Sequence, residues 1–140
     1  MCKYAKSFLL TLALVLPLAL LVSLAFADPG NVSIRIDQQS LKPETVQVSP
    51  GTTIIWVNSA GALAKVQFLS NAVSTTCKAP RGFIVGSKGI FESEEIPGGD
   101  VASLCFLERQ TYTYKVELFE QGDSGKELAQ TFHGTVVVTK

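Results

Sequence analysis

From residue 31 to residue 139 the chain is written largely in short runs whose side chains alternate between apolar and polar. This period of two is what most narrows the folds open to it. Alternate side chains of a strand point to opposite faces, whereas an amphipathic helix repeats its apolar residues every three or four. Val32–Asp37 and Thr45–Val48 alternate in this way, with Leu41-Lys42-Pro43-Glu44 turning the chain between them. Ser49-Pro50-Gly51 is a second turn signal. Thr52–Asn58 is β-branched and apolar almost throughout, the composition of a central strand covered on both faces. Asn58-Ser59-Ala60-Gly61 opens a loop, and alternation resumes over Lys65–Leu69. Ser70 to Lys88 has no sustained period and predicts an irregular excursion with room for one short helical turn. Gly89–Ser93 predicts an edge strand and Ile96–Asp100 a turn; Val101–Phe106 and Tyr112–Leu118 predict two further strands. Phe119 to Ala129 is polar and contains glycine, as a hairpin loop would, and Thr131–Thr139 closes the chain as a strand. Seven or eight short strands without a long helix predict an all-β sandwich or Greek-key barrel. Trp56, Phe68, Phe106, Tyr112 and Tyr114 recur at strand period and are expected in its core.

The strands are preceded by a segment of different character. Lys3 and Lys6 form a basic start, Ser7 to Ala27 carries no charge, and Ala25-Phe26-Ala27 ends the run before Asp28-Pro29-Gly30. This is the pattern of a secretory signal peptide over 1–27, cleaved before a domain that spans 28–140. An uncleaved membrane anchor is the alternative, since the apolar run is long enough to cross a bilayer. Either way the domain is expected in the periplasm or outside the cell. With Lys3 and Lys6 in the leader, ten basic residues remain against twelve acidic ones. That balance supplies no clustered positive surface for nucleic acid.

Removing the leader takes Cys2 away and leaves Cys77 and Cys105. In an exported protein such a pair predicts a disulfide, with two thiolates on a metal as the alternative. His133 is the one histidine of the chain, and Cys77, Cys105 and His133 form the only conceivable soft metal set. They are far apart in sequence and lack a close ligand spacing such as Cys-x-x-Cys. Glu92, Glu94, Glu95 and Asp100 cluster around the Ile96–Gly99 turn but match no calcium loop, so they predict a solvated edge that discourages strand-to-strand aggregation. With one histidine and no nucleophile-elbow context at Ser103 or Ser124, no catalytic residues are assigned and no enzyme is expected.

The stretch Val48-Ser49-Pro50-Gly51-Thr52-Thr53-Ile54-Ile55-Trp56-Val57-Asn58 resembles the cupredoxin family, which shows a valine-rich strand, a Gly-Thr turn, and a strand ending in an aromatic, Val and Asn. The resemblance continues at Gly98-Gly99 before Ala102-Ser103-Leu104, at Tyr112-Thr113-Tyr114, and at Gly134-Thr135-Val136-Val137-Val138. It covers most of the domain and implies a cupredoxin-like Greek-key sandwich. The ligands that the family uses to hold copper are not carried over. The first His place falls to Ala64 or Lys65, the Cys place to Val116, and the axial Met place to Phe132-His133. The second His would lie between Phe119 and Gln130, where there is none. A type 1 site needs two His and one Cys, usually with a Met. Beyond the leader this chain has one His and no Met.

The expectation is therefore a copper-free binding or scaffold module of the cell envelope, with no cofactor and with an unidentified protein or small-molecule partner. Ala64, Val116 and Phe132 would fill the vacated copper end. The alternative is a copper-binding or electron-transfer protein with unusual ligands. The small apolar loop Ala60–Ala64 would present a docking surface or plug that same end.

Overall fold

The computed structural model describes residues 30–69, 79–86 and 89–139. These residues form ten strands and no helix. The strands are β1 (Asn31–Ile36), β2 (Leu41–Lys42), β3 (Thr45–Val48), β4 (Thr52–Asn58), β5 (Leu63–Phe68), β6 (Phe83–Val85), β7 (Phe91–Ser93), β8 (Val101–Phe106), β9 (Thr111–Gly122) and β10 (Gly125–Val138). One sheet runs β2-β1-β4-β8 and the other β3-β10-β9-β5-β7-β6. Both are mixed, because β1 pairs in parallel with β4 and β3 in parallel with β10. Neighbours in sequence such as β3 and β4, or β8 and β9, lie in different sheets, so the chain crosses repeatedly over one core.

Burial follows the period of two. In β4, Ile54, Trp56 and Asn58 are fully buried, while Ile55 and Val57 between them are only partly covered. This strand was expected to be covered on both faces; in the sandwich its outer face keeps some contact with solvent. In β9, Tyr112, Tyr114 and Val116 are fully buried and Leu118 nearly so. The inner faces bring Trp56 of one sheet against Phe68 and Tyr114 of the other, with ring centroids 5.9 and 5.4 Å apart and both pairs edge-to-face. Phe68 also touches Phe106 at 5.8 Å, and Phe106 touches Tyr112 at 4.8 Å. All five aromatics expected in the core are there, joined by Phe83 from β6, which lies 5.3 Å from Trp56.

Three departures from the sequence pattern are instructive. The turn expected at Leu41–Glu44 contains the two-residue strand β2, which pairs with the end of β1. Gly89–Ser93 yields β7, but β7 is interior because β6 pairs on its far side and becomes the edge. The largest departure is the expected hairpin loop from Phe119 to Ala129. It is a continuation of β9 and β10, closed by a two-residue turn at Asp123-Ser124 between the paired Gly122 and Gly125. Much of this ribbon is exposed, so it has no buried face to impose apolar alternation. A bulge interrupts the ladder between Leu128 and Gln130. The part of the irregular excursion at 70–78 lies outside the described residues.

Gly134 sits directly across from Tyr114, and a β-carbon on it would fall 2.2 Å from the tyrosine Cζ. The ring lies over the glycine backbone, and a packed core leaves it nowhere to retreat. Gly134→Ala is expected to destabilise the domain by about 1–3 kcal/mol through overpacking, read as a lowered denaturation midpoint with an unchanged slope.

Among the described residues Tyr114 Oη is buried without a hydrogen-bond partner, as is Trp56 Nε1. Desolvation pushes the Tyr114 pKa up to about 12, only partly offset by the neighbouring Trp56. In the unfolded chain the phenol ionises near 10, so the folded state holds its proton longer. Its contribution is complete below pH 10 and is lost as pH rises through 12. Equilibrium denaturation at steps between pH 8 and pH 12 should show stability falling above pH 10, with a shallower fall in Tyr114→Phe.

Candidate functional site

The positions that the family resemblance assigns to copper ligands come together at one end of the six-stranded sheet. Val116 of β9 has Phe132 of β10 as its register partner on one side and Val66 of β5 on the other. Ala64 is paired with Leu118, two residues further along β9. Because alternate residues share a face, Ala64, Val116 and Phe132 all turn toward the core. Ala64 and Val116 are fully buried, and Phe132 packs partly buried against the core cluster. None of the three offers a donor atom to a metal. Lys65, the other residue at the first His place, points to the outer face and pairs with Glu92 at 3.2 Å.

The loop after β4 closes this end. Ala60 and Ala62 are 4% and 6% exposed, so the small apolar side chains face inward while Gly61 lies outside. Of the two readings open for this loop, the arrangement is that of a plug. Asn58 holds it in place from the last position of β4. Its Nδ2 donates to Ala62 O at 2.9 Å and to Ile96 O at 2.7 Å, and its Oδ1 accepts from Ala60 N at 3.0 Å. A fully buried amide with these three bonds is a satisfied one. Ile96 is in turn bridged to Ala64, with Ala64 N to Ile96 O at 3.0 Å and Ile96 N to Ala64 O at 2.8 Å. Gly98 permits the close approach, since a β-carbon there would lie 2.7 Å from Ala60 O.

Of the soft metal candidates, Cys105 and His133 lie on different sheets. Cys105 is buried on β8 of the four-stranded sheet, with its Sγ 3.4 Å from Gly51 O. His133 is exposed on β10 of the other sheet, on the face opposite Phe132. Cys77 lies outside the described residues. Among the described residues no group of three or more His, Cys, Asp or Glu side chains is placed to hold a metal ion. Two residues of the acidic cluster are in ion pairs, Glu92 with Lys65 and Glu95 with Lys126 from the ribbon. Glu94, Glu95 and Asp100 line one recess of about 230 Å³ with Arg81.

The β9–β10 ribbon contributes to a concave surface at this end. A cleft of about 430 Å³ has Ala62, Leu63 and Phe119 on its apolar side and Gln38, Glu120 and Gln121 on its polar side. Lys126 spans its edge, with Nζ 5.0 Å above the Phe119 ring. A second cleft of about 310 Å³ shares Gln38 and Glu120 with the first and adds Gln39 and Gln130. Sequence reasoning missed these residues because they come from three separate segments and follow no motif.

No protein-family model matches the chain, and no curated protein matches its sequence. Solved structures do. A reduced Cu(I) form of an amicyanin variant at pH 4 is 18% identical, with a TM-score of 0.52 over 78% of this chain and 82% of that one. A second reduced amicyanin variant gives 18% identity and a TM-score of 0.53 over 82% and 87% of the two chains. A third variant, in its Cu(I) form, gives 20% identity at the same TM-score of 0.53 and the same coverage of 82% and 87%. This chain has the cupredoxin-like fold, and among its described residues no group of three or more His, Cys, Asp or Glu side chains is placed to hold a metal ion.

Proposed function

We propose that the chain is exported and acts in the cell envelope as a metal-free binding or scaffold module, without enzymatic activity. The observation that carries this reading is the apolar filling of the copper end. Ala64 and Val116 are fully buried there, and the Asn58-anchored loop closes over them. A buried empty polar pocket would be costly, so such an end is stable only when apolar side chains occupy it. The rigid sandwich then serves as a frame, and the ribbon and clefts at the same end offer the surface for a partner.

Two parts of this reading concern the chain's processing. The leader 1–27 is removed, leaving Asp28 as the first residue, and Cys77 is joined to Cys105. Such a bridge would tie the segment after Leu69 to β8 and, on the chain-entropy account, contribute about 3 kcal/mol. Intact mass of the exported protein, taken before and after alkylation under denaturing, non-reducing conditions, reads both. The expected result is a chain starting at Asp28 with no added alkyl group. A full-length, membrane-retained species would show an anchor, and two added groups would show free thiols.

Copper binding is the sharper test. Titration of the exported monomer with cupric ion, followed by absorption spectroscopy and dialysis, should show no intense blue or violet band and no retained metal. Val116→Cys alone should leave this unchanged, since the second imidazole is still missing. Tight one-to-one retention lost on changing His133 or either Cys would favour the copper-handling alternative.

A further inference from the structure

Strand β1 opens on Asn31-Val32-Ser33, an Asn-x-Ser triplet whose middle residue is not proline. This is the acceptor pattern for N-linked glycosylation. The chain has two other asparagines, Asn58 and Asn71, followed two places later by Ala60 and Val73. Neither has the hydroxyl that the pattern requires. Asn58 is in addition fully buried, with its amide bonded three ways.

The fold leaves the triplet at Asn31 open to solvent. Asn31 and Ser33 are both exposed, and Val32 between them packs against the core cluster. Alternate residues of a strand share a face, so the amide and the hydroxyl stand on the same outer side. Neither side chain has a hydrogen-bond partner among the described residues. Along one side of the triplet runs β4, with Asn31 opposite Thr53 and Ser33 opposite Ile55. On the other side β2 reaches only Arg35 and Ile36, so among the described residues no strand lies beside 31–34. A bulky polar group on Asn31 has the outer face and this open edge in which to stand. It would also cover an unpaired strand edge, the kind of surface that proteins guard against pairing with other chains.

We propose that Asn31 is the acceptor of an N-linked oligosaccharide, with Ser33 supplying the hydroxyl that the transferring enzyme recognises. The proposal rests on the export reading above, since the transfer takes place on exported chains. The donor is an oligosaccharide carried on a lipid diphosphate. Asn31 Nδ2 bonds to the anomeric carbon of the first sugar and gives up one proton. The bond from that carbon to the diphosphate oxygen breaks, and the lipid diphosphate leaves with the electron pair. Nothing is oxidised or reduced. The product is a large, solubilising group fixed to the surface of the four-stranded sheet.

The test uses the full chain with its own leader, produced in a host whose secretory route carries an Asn-x-Ser/Thr oligosaccharyltransferase. The exported protein is read by intact mass before and after peptide-N-glycosidase, and by mapping of the tryptic peptide that ends at Arg35. The greater part of the exported chain is expected to carry added hexose and N-acetylhexosamine mass. The glycosidase should remove it and leave an aspartate in place of Asn31. Asn31→Gln and Ser33→Ala, both at exposed positions, should each be exported at the mass of the bare chain. Ser33→Thr keeps the hydroxyl and should keep the glycan. An exported wild-type chain at bare mass overturns the proposal, as does added mass that survives Asn31→Gln, or that survives Ser33→Ala. A processed chain with Asn31 unmodified removes this inference alone; an unprocessed chain retained in the cell removes the export reading and this inference with it.

Discussion

The contact on which the rest of the molecule depends is that between Trp56 and the aromatic rings of the facing sheet. Trp56 lies in the middle of β4, and the rings it meets belong to β5, β6 and β9 of the other sheet. Buried aromatics carry the largest apolar area per residue and prefer the edge-to-face geometry found here. Since a strand slipped by one residue would turn every inward ring outward, this cluster also fixes which face of each strand is inside. Tyr114 adds the tightest constraint. Its ring lies where a β-carbon at residue 134 would have to be, so the separation of β9 and β10 at that point depends on a glycine.

From that centre the structure extends in two directions with different physical character. Toward the body of the sandwich, polar groups are satisfied by the ladder and by a few buried side chains, such as Ser93 Oγ accepting from Val66 N at 2.8 Å. Tyr112 Oη reaches back to Glu108 O at 3.1 Å and pins the turn before its own strand. Toward the ribbon end the order comes from Asn58, which collects the carbonyls of two loops around one amide. That end of the sandwich is therefore a built closure.

The fold was legible because burial and alternation coincide. Ile34, Ile54, Trp56, Tyr112, Tyr114 and Val136 are apolar at period two, and each is fully buried. Where alternation lacks a buried face to answer to, the pattern went silent, as it did along the ribbon at Lys126–Thr131, where every residue is exposed. The strand β6 was missed for a different reason: three residues are too few to show a period, and Ile84 and Val85 are exposed. At the candidate site, the missing ligands could be read by counting His and Met, a matter of composition. The inward aim of Ala60 and Ala62 could not, because it depends on hydrogen bonds from Asn58 that no local pattern announces. The meeting of Gln38, Leu63, Phe119 and Gln121 in one cleft is a product of topology and has no sequence signature.

The bulge in β10 has a consequence for how this protein can change over evolutionary time. Below it, even-numbered residues face the core: Phe132, Gly134, Val136 and Val138. Beyond it the phase is reversed, so that Glu127 pairs with Glu120 on the core side and Lys126 shares the outer side with Phe119. One unpaired residue thus separates a segment whose every second side chain is dictated by packing from one whose residues answer only to solvent and to whatever they meet. Residues can be exchanged, and the tip lengthened or shortened, without transmitting a register error into the strand beneath. The bulge makes the ribbon a replaceable module on a packed frame, an arrangement in which its surface can diverge while the core stays fixed.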